Sequence, residues 1–282
     1  MKHALMLTLS ALTLASCTTR TPATPAAPTG QVAYGLSGNT LLTFGLGNAS
    51  DSLTRRTVTG LATGETLVDL DVRNTDGQLY GVTSGGAVYR LDPATAQASR
   101  DSAISATSVV AVDFNPAANR LRVLSAADVN ARHTLSAAPI PAVTGTTPDG
   151  TFTFAAGDVN AGRSPNLVAA AYTNSFNDTG KVSSGLTTAL YSIDADADAL
   201  IAHPAAGAPQ FSTLSTVGSL GVDVTAGGTG FDISGANTAV LSRSSNGSTS
   251  LYTVDLTTGR ATLLTTLSGA ALSSIALKLA QP

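Results

Sequence analysis

Leu251-Tyr252-Thr253-Val254-Asp255 runs into Leu256-Thr257-Thr258-Gly259 and resumes as Ala261-Thr262-Leu263-Leu264-Thr265. Two β-leaning runs on either side of a turn read as a hairpin. The pattern recurs at Val88-Tyr89-Arg90-Leu91-Asp92 before Pro93-Ala94-Thr95-Ala96, and at Leu190-Tyr191-Ser192-Ile193-Asp194 before Ala195-Asp196-Ala197-Asp198. In each copy the Tyr and the apolar residue two places on share a face. The Asp that ends the strand is placed to accept hydrogen bonds from turn amides.

A second pattern precedes the hairpin at a near-constant offset. Asp71 lies 18 residues before Tyr89, and Asp113, Ala171 and Asp232 lie 20 before His133, Tyr191 and Tyr252. These positions sit in Val68-Asp69-Leu70-Asp71-Val72, Val110-Ala111-Val112-Asp113-Phe114 and Phe231-Asp232-Ile233. A third run falls between the two patterns, as Leu79-Tyr80-Gly81-Val82, Leu121-Arg122-Val123-Leu124 and Ala239-Val240-Leu241. Four strands per repeat is the signature of a β-propeller blade. Residues 31–61 supply a second, third and fourth strand but no first, and Ser274-Ile275-Ala276-Leu277-Lys278-Leu279 supplies the missing one. The expected fold is therefore all-β, a propeller of five four-stranded blades, whose C-terminal strand pairs into the first blade, closes the ring and removes the free sheet edges. A sixth blade within Ala137–Arg163 and a two-layer sandwich are the competing arrangements, and the sandwich leaves the fixed offsets unexplained.

Gly64-Glu65-Thr66-Leu67 running into Asp69-Leu70-Asp71-Val72-Arg73, then Gly77-Gln78-Leu79-Tyr80-Gly81, resembles a bacterial family known only as domain-of-unknown-function family 4394. Val112-Asp113-Phe114-Asn115-Pro116, Asn119-Arg120-Leu121-Arg122-Val123 and Ala169-Ala170-Ala171-Tyr172-Thr173-Asn174-Ser175 are similar to it too. The resemblance spans about Val32 to Leu279 and implies a secreted or envelope propeller. It brings no catalytic residues. His133 and Ser136 stand where a more regular blade has Tyr and Asp.

The ends and the composition bear on location. Lys2, the apolar run Ala4–Thr13 and Leu14-Ala15-Ser16-Cys17 have the layout of a lipoprotein signal. Residues 1–16 are expected to be removed and Cys17, the one cysteine, to carry lipid. Residues 17–29, rich in Thr, Pro and Ala, read as a tether, and 30–282 as the propeller. The expected location is extracytoplasmic and membrane-anchored, on the outer membrane or cell surface where there is one. With 15 Lys and Arg against 18 Asp and Glu, net charge −3, nucleic acid is excluded as an electrostatic partner. With Cys17 consumed, no disulfide can form in the body.

Chemistry-bearing residues are few. There is no Gly-x-Ser-x-Gly elbow, Walker loop or zinc spacing. His133 reads as a strand residue packed between blades and His203 as a solvated loop residue. Asp194, Asp196 and Asp198 alternate like calcium ligands, but Ala199 and Ala205 stand where that loop needs Gly and Glu. The innermost acids Asp71, Asp113 and Asp232 have two readings. Each bonds the backbone of the next blade, or together they hold a divalent cation such as calcium on the axis. Asn115, Arg120, Arg122, Asn130 and Arg132, with Tyr172 and Asn174 of the following blade, form the densest polar group. They are candidates for binding a carboxylate, phosphate or sugar hydroxyls, or Arg pairs with Asp113 to support the core. The sequence thus points to a non-catalytic, lipid-anchored binding module without a cofactor, its partner an envelope protein or a small ligand. A metal-dependent propeller hydrolase or lactonase is the alternative.

Overall fold

The computed structural model describes residues 24–136, 144–205 and 210–282. The signal, Cys17 and the first part of the tether lie outside the described residues. Blade 1 contains Val32–Ser37 (β1), Thr40–Gly45 (β2) and Thr54–Thr57 (β3), and a four-residue helix, Ala49–Ser52 (α1), joins the last two. Blade 2 contains Leu67–Val72 (β4), Leu79–Thr83 (β5), Ala87–Leu91 (β6) and Ala98–Ala103 (β7). Blade 3 contains Val109–Asn115 (β8), Arg120–Ser125 (β9), Val129–Thr134 (β10) and Gly145–Thr151 (β11). The short Thr153–Phe154 (β12) crosses to blade 4, which contains Leu167–Tyr172 (β13), Leu190–Asp194 (β14), Ala199–His203 (β15) and Thr213–Ser219 (β16). Blade 5 contains Thr229–Ser234 (β17), Thr238–Ser245 (β18), Ser248–Val254 (β19) and Ala261–Leu267 (β20). The final strand, Ser274–Leu277 (β21), pairs antiparallel with β1 and completes blade 1. The result is five antiparallel sheets in a ring, a five-bladed β-propeller. The stretch that had room for a sixth blade instead supplies β11, the outer strand of blade 3, and β12, which adds to the outer edge of blade 4.

Strands such as β5, β13 and β17 are buried at every position, so these blades have two covered faces, and covering both requires a neighbour on each side. The core is accordingly divided among the five seams. Tyr80, Val82 and Val88 of blade 2 meet Val112, Phe114 and Leu121 of blade 3. Val240, Leu251 and Leu267 of blade 5 meet Ala33, Phe44 and Leu277 of blade 1 across the closing seam. The turn aspartates do as their position suggests. Asp92 accepts from the Ala94 amide, Asp194 from Asp196 and Ala197, and Asp255 from Thr257 and Thr258.

Blade 4 departs from the repeat read in the sequence. Leu190–Asp194 is its second strand, not its third, because the 17 residues from Thr173 to Ala189 form no strand. They form a strap that visits every other blade at the end where the inner strands finish. Ser175 exchanges backbone bonds with Gly235 of blade 5, and the Asn177 amide bonds Ala280 O beyond β21. Asp178 and Gly180 bond Asn74 O and Thr75 O of blade 2, and the Ser184 amide bonds Pro116 O of blade 3. The backbone donors and acceptors at that end of the ring are thereby paired.

The N-terminal described residues reach the same end. Ala26 N donates to Asp51 O, Asn48 Nδ2 to Ala27 O and Gly47 N to Thr29 O. The stretch that reads as the end of the tether thus lies on the body of blade 1. His203 is not a solvated loop residue: it ends β15, is buried, and bonds Ser192 Oγ at 2.7 Å and Phe211 O at 2.9 Å. His133 lies buried between blades 2 and 3, bonded to Ser102 Oγ and Thr146 Oγ1.

Candidate functional site: the propeller axis

The inner strands β4, β8, β13, β17 and β21 stand around the axis with one edge each unpaired. An unpaired edge inside a protein leaves amide N–H groups that need acceptors. Asp71 Oδ1 accepts from its own neighbour Val72 N, and Oδ2 from Phe114 N of the next blade at 2.5 Å. Asp113 Oδ1 accepts from Tyr172 N at 2.9 Å. Asp232 Oδ1 accepts from Ile233 N and Oδ2 from Leu277 N. The five amides belong one to each blade, at the same height, and three carboxylates cover all five. Asp71, Asp113, Ala171, Asp232 and Ala276 are therefore equivalent positions, and the two alanines stand where no further acceptor is required. One tier nearer the starts of the strands, Asp69 repeats the device. Its Oδ2 accepts from Val112 N at 2.7 Å, and its Oδ1 from Leu70 N at 3.0 Å and Ser274 Oγ at 2.6 Å.

The sequence reading that has each acid bonding the next blade's backbone describes what these groups do. They also converge, since one carboxylate oxygen from each of Asp71, Asp113 and Asp232 lies within 4.8 Å of the others. All three residues are buried. Burial pushes the Asp232 carboxyl up to about 7 against the pull of its two amide bonds, and Asp69 likewise to about 7. Burial, and then the neighbouring carboxylates, hold Asp71 and Asp113 well above the ordinary carboxylate range. Like charges crowded in a poorly solvated site favour protons or a countercharge.

Above these tiers the axis opens into a cavity of about 320 Å³. Three of the inner strands carry a bulge at their start, at Val68, Val110 and Val168, where the register with the second strand slips. A bulge re-aims its extra residue, and all three valines line the cavity. With Thr229 and Ser273 they form a collar to which every blade contributes the residue three places before its axial position. Ser125 Oγ lies in the wall, buried and without a hydrogen-bond partner. Asp128 and Asn166 stand among the lining residues, half-buried. The cavity is at the end of the axis opposite the strap.

The polar group singled out in the sequence lies elsewhere, at the seam of blades 3 and 4. Arg122 Nη1 bonds Asp149 at 2.6 Å and Asn130 Oδ1 at 2.7 Å, and its Nε donates to the Tyr172 hydroxyl at 3.0 Å. Arg132 reaches the other Asp149 oxygen at 3.5 Å. Arg122 is the register partner of Asp113, yet its guanidinium turns away to Asp149 and lies over the Phe211 ring. The expected Arg–Asp113 pairing is thus replaced by a pair with Asp149, which sequence reasoning missed because β11 lies in the stretch set aside for a sixth blade. Asn115, Arg120, Arg122, Arg132 and Tyr172 line a cleft of about 50 Å³, room for a water or two. Asn174 is not among them: it opens the strap with φ 59° and bonds Thr187 O. Asp194, Asp196 and Asp198 make turn and loop contacts, Asp198 accepting from the Val224 amide.

No curated protein matches the chain. Among solved structures it is similar to a chain of a nidogen/laminin complex, at 9% identity and TM-score 0.45, covering 90% of this chain and 100% of that one. It is also similar to a protein from Lactobacillus plantarum, at 16% identity and TM-score 0.38, covering 85% and 67%. A putative 6-phosphogluconolactonase from Bacteroides uniformis matches at 11% identity and TM-score 0.41, covering 85% and 83%. None of these transfers a ligand or an activity to this chain. Residues 40–276, most of the chain, match a single family, and the protein is a member of it: the domain of unknown function DUF4394.

Proposed function

We propose that the protein is a non-catalytic binding module, held on the outer side of a membrane by lipid at Cys17, whose axial cavity takes a small ligand. The observation that carries this reading is the collar. Five blades place five equivalent residues, Val68, Val110, Val168, Thr229 and Ser273, around one opening. The cavity has the size of a small-ligand site, concave and mainly apolar with a few polar groups. Binding is favoured over catalysis because the two Ser–His contacts, Ser102–His133 and Ser192–His203, lie off the cavity, and the far ring nitrogen of each histidine meets a hydroxyl or a carbonyl and not a carboxylate.

The test is a thermal-melt panel of small ligands on the protein and on Val110→Trp, which fills the collar. A ligand present at a hundred times its Kd adds about 2.7 kcal/mol. A midpoint shift that Val110→Trp removes supports the reading, and shifts that Val110→Trp leaves intact overturn it. A flat panel turns the search to an envelope protein partner, sought by crosslinking. Acyl labelling that Cys17→Ser abolishes is the matching test of the anchor. A metal-dependent hydrolase or lactonase is the second reading, favoured by the 4.8 Å grouping of the axial acids. It requires purified protein to hold a stoichiometric divalent ion that Asp113→Asn releases.

A further inference from the structure

Four carboxylates stand on the axis below the collar. Asp69 follows Val68 in β4, one tier nearer the cavity than Asp71, Asp113 and Asp232, though it does not itself line the cavity. The ion pairs among the described residues leave them out. The charges acting on Asp71, Asp113 and Asp232 are those of one another and of Asp69. Arg73 bonds Asn119 and Asp76, and Arg122 pairs with Asp149. Among the described residues that line the cavity none is Lys, Arg or His, and the one charged member is Asp128.

The walls set a second condition. The apolar wall of Val68, Val110 and Val168, with Leu67 and Leu167, offers no side-chain oxygen to a hydrated metal ion, and the side-chain oxygens that line the cavity are confined to Ser125, Asp128, Asn166, Thr229 and Ser273. Such an ion sheds its water reluctantly and only for a full set of oxygen ligands. Of the six carboxylate oxygens of the inner tier, five already accept backbone N–H. Ser125 Oγ supplies a third, independent sign. It is 6% exposed, lines the cavity and has no partner. A buried hydroxyl without a partner is a place for a ligand donor or acceptor.

We propose that the cavity binds a small organic cation, an ammonium on a short apolar body, with the body in the valine collar and the charged head turned toward Asp69. This rests on the axial cavity being the binding site. The head supplies the countercharge the axis lacks, and a buried cation beside carboxylates is favoured where an isolated one is not. The apolar body gains from burial against the valines.

The experiment is calorimetric titration of the protein at pH 8 with four matched probes: n-butylammonium, n-butanol, butyrate and calcium chloride. The same titrations are made on Asp69→Asn and on two collar-filling variants, Val110→Trp and Ser273→Trp, so that one that fails to fold does not end the test. The expected result is binding of n-butylammonium over the other three, lost in a folded collar variant. In Asp69→Asn it is weakened about tenfold, the worth of one charge-assisted contact. Binding of n-butanol or butyrate at least as tight, and still sensitive to the collar, overturns the cation inference and leaves the cavity as the site. Binding of calcium alone overturns it in favour of a metal centre. Binding of n-butylammonium that the collar variants do not change overturns both the inference and the reading on which it rests. No binding of n-butylammonium overturns the inference, and the wider ligand panel then decides the fate of the cavity.

Discussion

The Ser274 hydroxyl donates to Asp69 Oδ1 at 2.6 Å, a bond between the last strand of the chain and the first strand of blade 2. It crosses the seam of blades 1 and 2 and joins residues 205 apart in the chain. The same hydroxyl accepts from Leu70 N at 3.1 Å. Ser274→Ala removes one partner of the half-buried Asp69 carboxylate and one of the two acceptors of the Leu70 amide. Leu70 N keeps Asp69 Oδ1 and Asp69 keeps the Val112 and Leu70 amides, so the expected loss is about 0.5–1.5 kcal/mol by urea denaturation, the usual worth of one hydrogen bond.

The three axial aspartates are expected to respond unequally to Asn. Asp71 uses both oxygens as acceptors, for Val72 N and Phe114 N. An Asn at that position keeps one and turns an NH2 group against the other amide. Asp113 uses one oxygen, for Tyr172 N. Asp71→Asn should therefore destabilise by about 1–3 kcal/mol, and Asp113→Asn, which relieves repulsion at no loss of acceptor, should be neutral or stabilising. Chemical denaturation of both variants decides it. A large loss in Asp113→Asn sinks the amide account and favours an ion held by all three.

Stability should fall as the solution is made alkaline. Asp69 and Asp232 have folded pKa values of about 7, above the ordinary value, so the folded state binds protons there that the unfolded state has released. Their stabilisation is full below the unfolded pKa and is lost as pH rises through 7. The other carboxylates facing them are Asp71 and Asp113, shifted in the same direction. His203, depressed to about 4, and His133, also depressed, act in the opposite sense, with stability lost as pH falls below about 6.5. The interval from pH 6.5 to 8 therefore reports the acids alone. The Tm should drop across it, and Asp232→Asn should flatten the drop.

Gly230 tests how closely the inner strands approach. A Cβ placed there would lie 2.5 Å from Ile275 N and 2.8 Å from Ser274 Cα, both backbone atoms of β21. Gly230→Ala must push blades 5 and 1 apart at the closing seam, and about 2–3 kcal/mol of destabilisation is expected, as for overpacking elsewhere. Gly64→Ala has open space around it and strain at φ 82° only, so its cost should be nearer 1 kcal/mol. A thermal-melt comparison of the two gives the difference.

Much of the ring was legible in the sequence because its signals are local. Alternation marks the strands, and Asp92, Asp194 and Asp255 mark the hairpin turns by a chemistry that needs only the next few residues. The C-terminal strand could be placed in blade 1 because residues 31–61 lack a partner for β1. Blade 4 was misaligned for a physical reason. The 20 residues from Ala171 to Tyr191 match the spacing of blades 3 and 5, yet here they hold a strap whose bonds go to four other blades. No local pattern encodes such contacts. Asp71, Asp113 and Asp232 were visible as acids among apolar neighbours, but that three carboxylates serve five amides follows only from the closed ring. The collar left a trace that went unread: Val68, Val110 and Val168 share one offset from their axial residues.

The leader that precedes blade 1 gives the molecule a sidedness. Ala26 to Thr29 are fixed against α1 and the end of β2, on the strap end of the ring, and the valine collar opens at the other. Eight residues separate Cys17 from Ala26, a reach of about 30 Å when fully extended. The proposed acylation of Cys17 would hold the strap toward the bilayer on a short leash, with the mouth outward. Whatever enters would then arrive through water, and lipids of the anchoring leaflet would have no direct route to the collar.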